Sequence, residues 1–149
     1  MKQSGKSARS SEIKAFAFRL DAHSGVPVYR QLIDQVQAAV ASGLLTAGDQ
    51  LPTVRQVAVD LAINPNTVSR AYREMEIRGA LDTQQGTGTF VADKKIELSK
   101  GERERQLTQL VDEFVSRAGA AGLTVKQLVK ALRQLSPEDT SRHRHEEDL

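Results

Sequence analysis

Arginine, asparagine and threonine side chains are concentrated in the stretch NPNTVSRAYRE, residues 64–74. Arginine can make a bidentate contact with guanine, asparagine can do so with adenine, and a threonine methyl can touch thymine. At about 100° per residue, four of these side chains share one side of a helix: Asn66, Thr67, Arg70 and Arg73. The opposite side is apolar: Val68, Ala71, Tyr72 and Met75. The stretch therefore predicts a helix that reads base edges with its first two turns.

Pro65 marks the start of this helix. Proline lacks an N–H and is accepted in the first helical turn, where that N–H would have no partner. Asn64 precedes it and is placed to act as the N-cap. The proline therefore fixes where the helix begins, and with it the angular positions of Asn66, Thr67 and Arg70.

The alternative to the DNA interpretation is that this is an ordinary surface helix with no binding role. The two arginines would then be ordinary surface charges, with Glu74 and Glu76 as candidate ionic partners. The flanking elements decide in favour of DNA.

Two predicted helices precede the reading helix, and a hairpin follows it. The first spans about residues 27–42, with an apolar period: Val28, Leu32, Val36, Ala39 and Val40. The second spans about residues 53–62, with Thr53 as N-cap and Gln56 at the capping-box position. Residues 80–92 surround the glycine-rich QQGTG and predict two short strands. This is the order of a winged helix-turn-helix, mainly α with a small β-hairpin wing. Before it, FAFRL (residues 16–20) predicts a short strand or an extended segment packed on the domain.

Further DNA contacts are expected outside the reading helix. Arg55 begins the second helix opposite its apolar stripe, where it can reach a phosphate; an ion pair with Asp60 or Glu74 is the alternative. Gly86 and Gly88 allow the hairpin backbone to approach DNA closely, although an ordinary β-turn also uses glycine. The candidate DNA-binding residues are Thr53, Arg55, Asn66, Thr67, Ser69, Arg70, Arg73, Gln85, Gly86, Thr87 and Gly88.

Three motifs carry a family resemblance: GDQLPTVRQVA at residues 48–58, NPNTVSRAY at 64–72 and GTGTFV at 86–91. With them, residues 26–92 resemble the DNA-binding domain of the GntR family of bacterial transcription regulators. The short helical tail resembles the YtrA subfamily, in which the tail serves dimerisation. The resemblance implies DNA contacts at Arg55, Thr67, Arg70 and the wing glycines. It also implies repression, often of transporter operons and of the regulator's own gene. Some members carry arginines where this chain has Pro65 and Ser69, and many carry a basic residue at the position of Gln85, so those contacts are not transferred.

Two amphipathic helices are predicted after the wing. Ser99 and Glu102 have capping-box spacing at the first, and Thr124 is the expected cap of the second. Their apolar stripes need a cover, and a second copy of the chain supplies one as a C2 homodimer. Folding back onto the winged domain as a monomer is the alternative. The candidate dimerisation residues are Leu107, Leu110, Val111, Phe114, Val115, Leu128, Val129 and Leu132.

Four segments are predicted: a disordered arm at 1–14, a winged helix-turn-helix DNA-binding domain at 15–95, a helical dimerisation region at 96–136 and a disordered tail at 137–149. Two recognition helices in a dimer would read a palindromic operator in double-stranded DNA. A winged-helix module that binds a protein partner, without specific DNA binding, is the second hypothesis.

Composition narrows the function classes. The formal net charge is +2, and residues 1–95 hold 12 Lys/Arg against 9 Asp/Glu. There is no cysteine, which excludes disulfides and a thiol nucleophile. No nucleophile–base pair or carboxylate pair predicts an enzyme, and no pattern predicts a cofactor or identifies a small-molecule effector.

His143 and His145 in HRHEED are read as a solvated tail rather than a metal site. Without a signal peptide or transmembrane stretch, we expect a cytoplasmic protein without a membrane partner.

Overall fold

The computed structural model describes residues 16–93 and 98–136. The chain divides into an N-terminal unit, which contains residues 16–93, and a C-terminal unit, which contains residues 98–136. The predicted arm at 1–14 and tail at 137–149, with His143 and His145, lie outside the described residues. The elements are α1 Val28–Ala41, β1 Gln50–Leu51, α2 Val54–Leu61, α3 Pro65–Ile77, β2 Leu81–Gln84, β3 Gly88–Val91, α4 Lys100–Ala120 and α5 Val125–Leu135.

Helix α1 follows Pro27 and ends where Gly43 adopts a φ of 79°, the backbone conformation that glycine supplies at helix ends. Its buried face comprises Leu32, Ile33, Val36 and Ala39. The predicted stripe was wrong at Val40, which is exposed, and it omitted Ile33. Ile33 and Val40 are seven positions apart and lie within about 20° of each other around the helix, so they share one side of α1. The core covers that side at Ile33 and leaves it exposed at Val40, in the last turn of the helix, and spacing alone does not predict where along a helix the cover ends.

Helix α2 is capped by Thr53, whose hydroxyl accepts a hydrogen bond from the Gln56 N–H at 3.1 Å. The reciprocal half of the predicted capping box does not form. The Gln56 side chain instead donates to Asp60 Oδ1 at 2.7 Å, a bond strengthened by the charge of the i,i+4 carboxylate.

The turn from α2 to α3 is short and strongly bent. Ala62 takes a φ of 52°, and the N–H of Ile63 donates to Ala58 O at 3.0 Å. Asn64 then caps α3 by accepting from the Asn66 N–H at 2.9 Å, and Pro65 is the first helical residue. The predicted cap and the predicted role of the proline are both confirmed.

The wing is larger than the predicted hairpin. Strands β2 and β3 pair with Gln84 opposite Gly88, and β1 adds to the other side of β3, giving the antiparallel order β1-β3-β2. Gln50 lies opposite Phe90. A two-residue strand carries no periodicity, so the sequence did not reveal β1.

The core of the N-terminal unit lies between α1, α2, α3 and the sheet. Its largest fully buried side chains are Leu32, Ile33, Val36, Val68 and Met75. FAFRL is an extended segment rather than a strand, and Phe18 enters this core. The Gln35 side chain holds the segment through both backbone groups of Arg19, at 2.7 Å and 2.6 Å.

The C-terminal unit consists of α4 and α5. Both predicted caps form complete capping boxes, Ser99 with Glu102 and Thr124 with Gln127. Helix α4 has 21 residues. Gly119 lies inside it, and the helix ends before Gly122, whose φ is 78°.

Candidate nucleic-acid interface

Helix α3 separates its side chains into a buried face and a polar face. Val68, Ala71, Tyr72 and Met75 are buried, as the helical period predicts. On the other side Asn66, Arg70 and Arg73 are exposed, whereas Thr67 and Ser69 are half-buried. The helix is therefore held rigidly by one face while the other offers amide, hydroxyl and guanidinium groups to a partner.

Arg70 has two neighbours on this polar face. Its guanidinium carbon lies 3.7 Å from the centroid of the Tyr29 ring, which belongs to α1. Its Nε also lies 3.7 Å from Glu74 Oε1, beyond hydrogen-bond distance. The alternative interpretation, in which Arg70 is an ordinary surface charge, is thus correct in naming Glu74 as an ionic neighbour. That contact is long, however, and the Arg70 side chain remains 60% exposed.

Arg55 and Arg73 form no ion pair with any other described residue, and both are exposed. The alternative expected for Arg55 was wrong, because Asp60 bonds to Gln56 and Glu74 faces Arg70 and Arg78. The alternative for Arg73 also fails, since the Glu76 carboxylate accepts a hydrogen bond from Thr83. Unpaired guanidiniums at an exposed surface suit phosphate oxygens.

The first turn of α2 places Thr53 and Arg55 together. Thr53 Oγ1 is engaged as the cap, which leaves its own hydroxyl hydrogen free to donate. The backbone N–H groups of a first helical turn point outward and carry the positive end of the helix dipole. Thr53, Arg55 and this helix start can together hold one phosphate.

The tip of the wing presents Gln85, Gly86 and Thr87 to solvent. Gly86 has a φ of 75°, and the Thr87 N–H closes the turn on Gln84 O at 3.0 Å. Gly88 has a φ of 141°, and a Cβ there would lie 2.5 Å from Gln50 Nε2. The two glycines serve turn geometry and close packing, which is the ordinary β-turn role, and Gly86 also leaves open space around the tip.

Residues 50–53, which join β1 to α2, connect the three candidate contact regions of the N-terminal unit. Gln50 Nε2 donates to Thr87 O of the wing tip at 3.3 Å. Pro52 O accepts from the Tyr72 hydroxyl of α3 at 2.5 Å. Thr53 caps α2. Residues 50–53 therefore link the start of α2, the helix α3 and the wing tip through hydrogen bonds.

The Tyr72 hydroxyl serves only as a donor in this network. Burial raises the pKa of Tyr72 far above its usual value, because the phenolate would lose its hydration. The hydroxyl therefore stays protonated at physiological pH and keeps its bond to Pro52. Gln50 and Tyr72 were absent from the sequence-predicted site; Tyr72 was recognised only as core, and Gln50 carries no local signal.

The described parts of the chain contain no candidate for two other features, a metal site and a membrane-spanning helix. Within residues 16–93 and 98–136, no three His, Asp or Glu side chains are placed to hold a metal ion. No helix there has the length and apolar character needed to cross a membrane.

Comparison with known proteins agrees with this geometry. Residues 28–91 match the family described as bacterial regulatory proteins, gntR family. The chain is 34% identical over 122 residues to the HTH-type transcriptional repressor YtrA of Bacillus subtilis, covering 79% of this chain and 91% of that protein.

Solved structures are similar as well. A transcriptional antiterminator from Listeria monocytogenes has a TM-score of 0.59 at 27% identity, covering 83% of this chain and 92% of its own. YtrA from Sulfolobus acidocaldarius, a GntR-family transcription factor, has a TM-score of 0.50 at 28% identity, covering 69% of this chain and 97% of its own.

Proposed function

Since this chain belongs to the GntR family of bacterial regulatory proteins, a family of DNA-binding transcription regulators, we propose how its winged helix-turn-helix reads DNA. Helix α3 enters the major groove, the first turn of α2 contacts the sugar–phosphate backbone, and the wing tip contacts the adjacent backbone. The observation that carries the proposal is the division of α3 into a buried face and an exposed face with two arginines.

The exposed arginines have two roles in this proposal: contact with base edges and contact with phosphates. Arg70 and Asn66 lie in the first two turns of α3, where side chains reach base edges, and their donors match guanine and adenine. Arg55 and Thr53 lie at the start of α2 and suit a phosphate, which carries no sequence information. Arg73 is a turn further along α3 and has no ionic partner among the described residues, so it suits a flanking phosphate.

The C-terminal unit supplies the symmetry in this proposal. The apolar stripes of α4 and α5 are mainly solvent-exposed within one chain, and covering them with the same stripes of a second copy gives a C2 homodimer. Two reading helices related by a twofold axis favour a palindromic operator with half-sites about one helical turn apart.

Repression is the regulatory effect we propose. The Bacillus subtilis relative, similar over most of both chains, is named a transcriptional repressor. A dimer covering two half-sites in a promoter blocks polymerase by occupancy, and no small-molecule site is required for that. The protein would act in the cytoplasm, where a bacterial chromosome is accessible.

A mobility-shift experiment with the full-length protein and fragments of its own promoter region tests the proposal. We expect binding that weakens steeply with salt, because phosphate contacts release counterions. Arg70→Ala should reduce discrimination between operator and scrambled DNA by about 1–3 kcal/mol, whereas Arg55→Ala should weaken binding to both about equally. Arg117→Ala, which removes one exposed positive charge from α4, is the charge-matched control.

Two results would contradict the proposal. Equal losses on operator and scrambled DNA for Arg70→Ala would remove its role as a base reader. Binding to no fragment, or binding insensitive to salt, would favour the second hypothesis, in which the exposed face of α3 docks on a protein.

A further inference from the structure

We propose that Tyr29 on α1 is a positioning residue for Arg70, and that it holds the guanidinium stacked and ready to read a base. The inference rests on the proposed function, because Arg70 is there one of the two base-reading residues. Tyr29 was not among the candidate site residues, and its 41-residue separation from Arg70 in the chain gives no sequence signal.

The geometry distinguishes this contact from an ordinary surface ion pair. The Arg70 guanidinium carbon lies 3.7 Å from the centre of the Tyr29 ring, well within the range of a cation–π contact. The ring is partly buried and packed against the hydrophobic core, so it is a fixed platform rather than a second mobile side chain.

Stacking leaves the hydrogen-bonding edge of arginine available. The five N–H donors of a guanidinium lie in its plane, whereas an aromatic ring engages its face. The Arg70 guanidinium makes no hydrogen bond to another residue in the parts of the chain described, and the nearest carboxylate oxygen, from Glu74, is 3.7 Å from Nε. A bidentate contact with guanine therefore requires no break in the stack.

A neutral platform also suits a surface that meets DNA. Glu74 faces both Arg70 and Arg78, and its negative charge opposes the approach of phosphates. The Tyr29 ring attracts the guanidinium through its quadrupole without adding charge. It can thus keep Arg70 in place when DNA arrives, which reduces the conformational freedom lost on binding.

A purely structural role for the contact is the weaker explanation. Helices α1 and α3 are already joined through fully buried side chains, among them Leu32, Ile33 and Met75. An exposed arginine over a tyrosine adds little to that interface, and Tyr29 has no need of Arg70 to remain packed.

The test is a double-mutant cycle on operator discrimination, measured with the full-length protein on operator and scrambled DNA at one salt concentration. Tyr29→Leu keeps apolar bulk but removes the π-face, and we expect about a two- to fivefold loss of discrimination. Tyr29→Phe keeps the π-face and should remain close to wild type. In an Arg70→Ala background, Tyr29→Leu should cause no further loss, because the platform then holds nothing.

A readout without DNA accompanies the cycle. Protons of the Arg70 side chain above the Tyr29 ring should show upfield ring-current shifts in NMR spectra, which Tyr29→Phe retains and Tyr29→Leu abolishes. Thermal unfolding of each variant separates a local effect from a loss of folding.

Each outcome decides between distinct possibilities. A Tyr29→Leu loss that persists in Arg70→Ala, or a Tyr29→Phe loss equal to that of Tyr29→Leu, overturns this inference and assigns Tyr29 an independent contact, such as its hydroxyl on a phosphate. A wild-type protein that discriminates no operator overturns the proposed function itself, and with it the inference. Wild-type discrimination combined with unchanged discrimination in Tyr29→Leu overturns the inference alone.

Discussion

The two units of this chain treat their apolar residues in opposite ways. In the N-terminal unit the apolar faces of three helices meet around Val68 and Met75, which are completely buried. In the C-terminal unit Ala118 is the single buried residue among those described in its helices, whereas Leu110 is 63% and Phe114 45% exposed. The first unit covers its own core, and the second keeps an apolar surface uncovered.

Under the proposed function this contrast separates two physical tasks. A reading face needs a rigid support, because a base contact requires placement to within a fraction of an ångström. An association surface instead needs apolar area that stays exposed until a partner arrives. Substitutions should therefore act on folding in the N-terminal unit and on self-association in the C-terminal unit.

Met75→Ala should have the largest effect and tests the rigid unit. Removing a fully buried methionine side chain leaves a cavity and should lower the free energy of unfolding by about 2–5 kcal/mol. Urea unfolding followed by circular dichroism, at fixed protein concentration, measures the loss. Ile77→Ala on the same helix, where the side chain is 78% exposed, should change stability by less than about 0.5 kcal/mol. Similar losses for both variants would contradict the picture of a two-faced α3.

Phe114→Glu should have the next largest effect and acts on the exposed surface of α4. A charge within an apolar interface between copies should weaken self-association by at least about tenfold. Sedimentation velocity across a concentration series measures it. Ser116→Glu introduces the same charge at an exposed position off the stripe and should leave the dimer intact. A wild-type protein that sediments as a monomer at micromolar concentration would refute the dimer.

Asn64→Ala tests the fixed start of the reading helix. Loss of the bond from the Asn66 N–H to the Asn64 side chain should lower the free energy of unfolding by about 1 kcal/mol. Thermal unfolding measures this loss, and Asn64→Ser should recover most of it, because serine is also a good N-cap. A serine variant as unstable as the alanine variant would show that the cap bond is not the cause.

Arg30→Ala should have the smallest effect, since both partners of its ion pair are largely hydrated. Arg30 Nε lies 3.2 Å from Asp34 Oδ1, with the side chains 42% and 51% exposed. The expected loss is about 0.3–0.5 kcal/mol at low salt and should shrink in 0.5 M NaCl. Urea unfolding at two salt concentrations measures it. A loss above about 1 kcal/mol that salt does not alter would assign Arg30 another structural role.

Most of the fold was predictable because its signals are local. Thr53, Asn64 and Thr124 each cap a helix within three residues of themselves, so their spacing in the sequence is enough to find them. The apolar period of α3 likewise predicted its buried face without reference to any other element. The DNA-contact roles of the exposed residues remain predictions.

The errors arose where burial, an alternative hydrogen bond or an unusual backbone conformation, rather than residue spacing, decides the outcome. Ile33 is buried and Val40 exposed on the same side of α1, because the core covers that side at Ile33 but not in the last turn of the helix. Gln56 donates to Asp60 because a carboxylate lies one turn away on the same helix. The positive φ of the turn occurs at Ala62, and because glycine is the residue that usually marks such a conformation, the sequence did not indicate it.

The sequence by itself determined the order of the helices and the wing hairpin, where each helix starts and which residues of α3 face outward, because these depend on interactions within a few positions of the chain. Only the tertiary structure decided that β1 completes the wing, that Gln50 reaches the wing tip and that Tyr29 lies beneath Arg70. Those contacts join residues about 40 positions apart, and folding brings such groups together through packing of the whole unit, which no local pattern records.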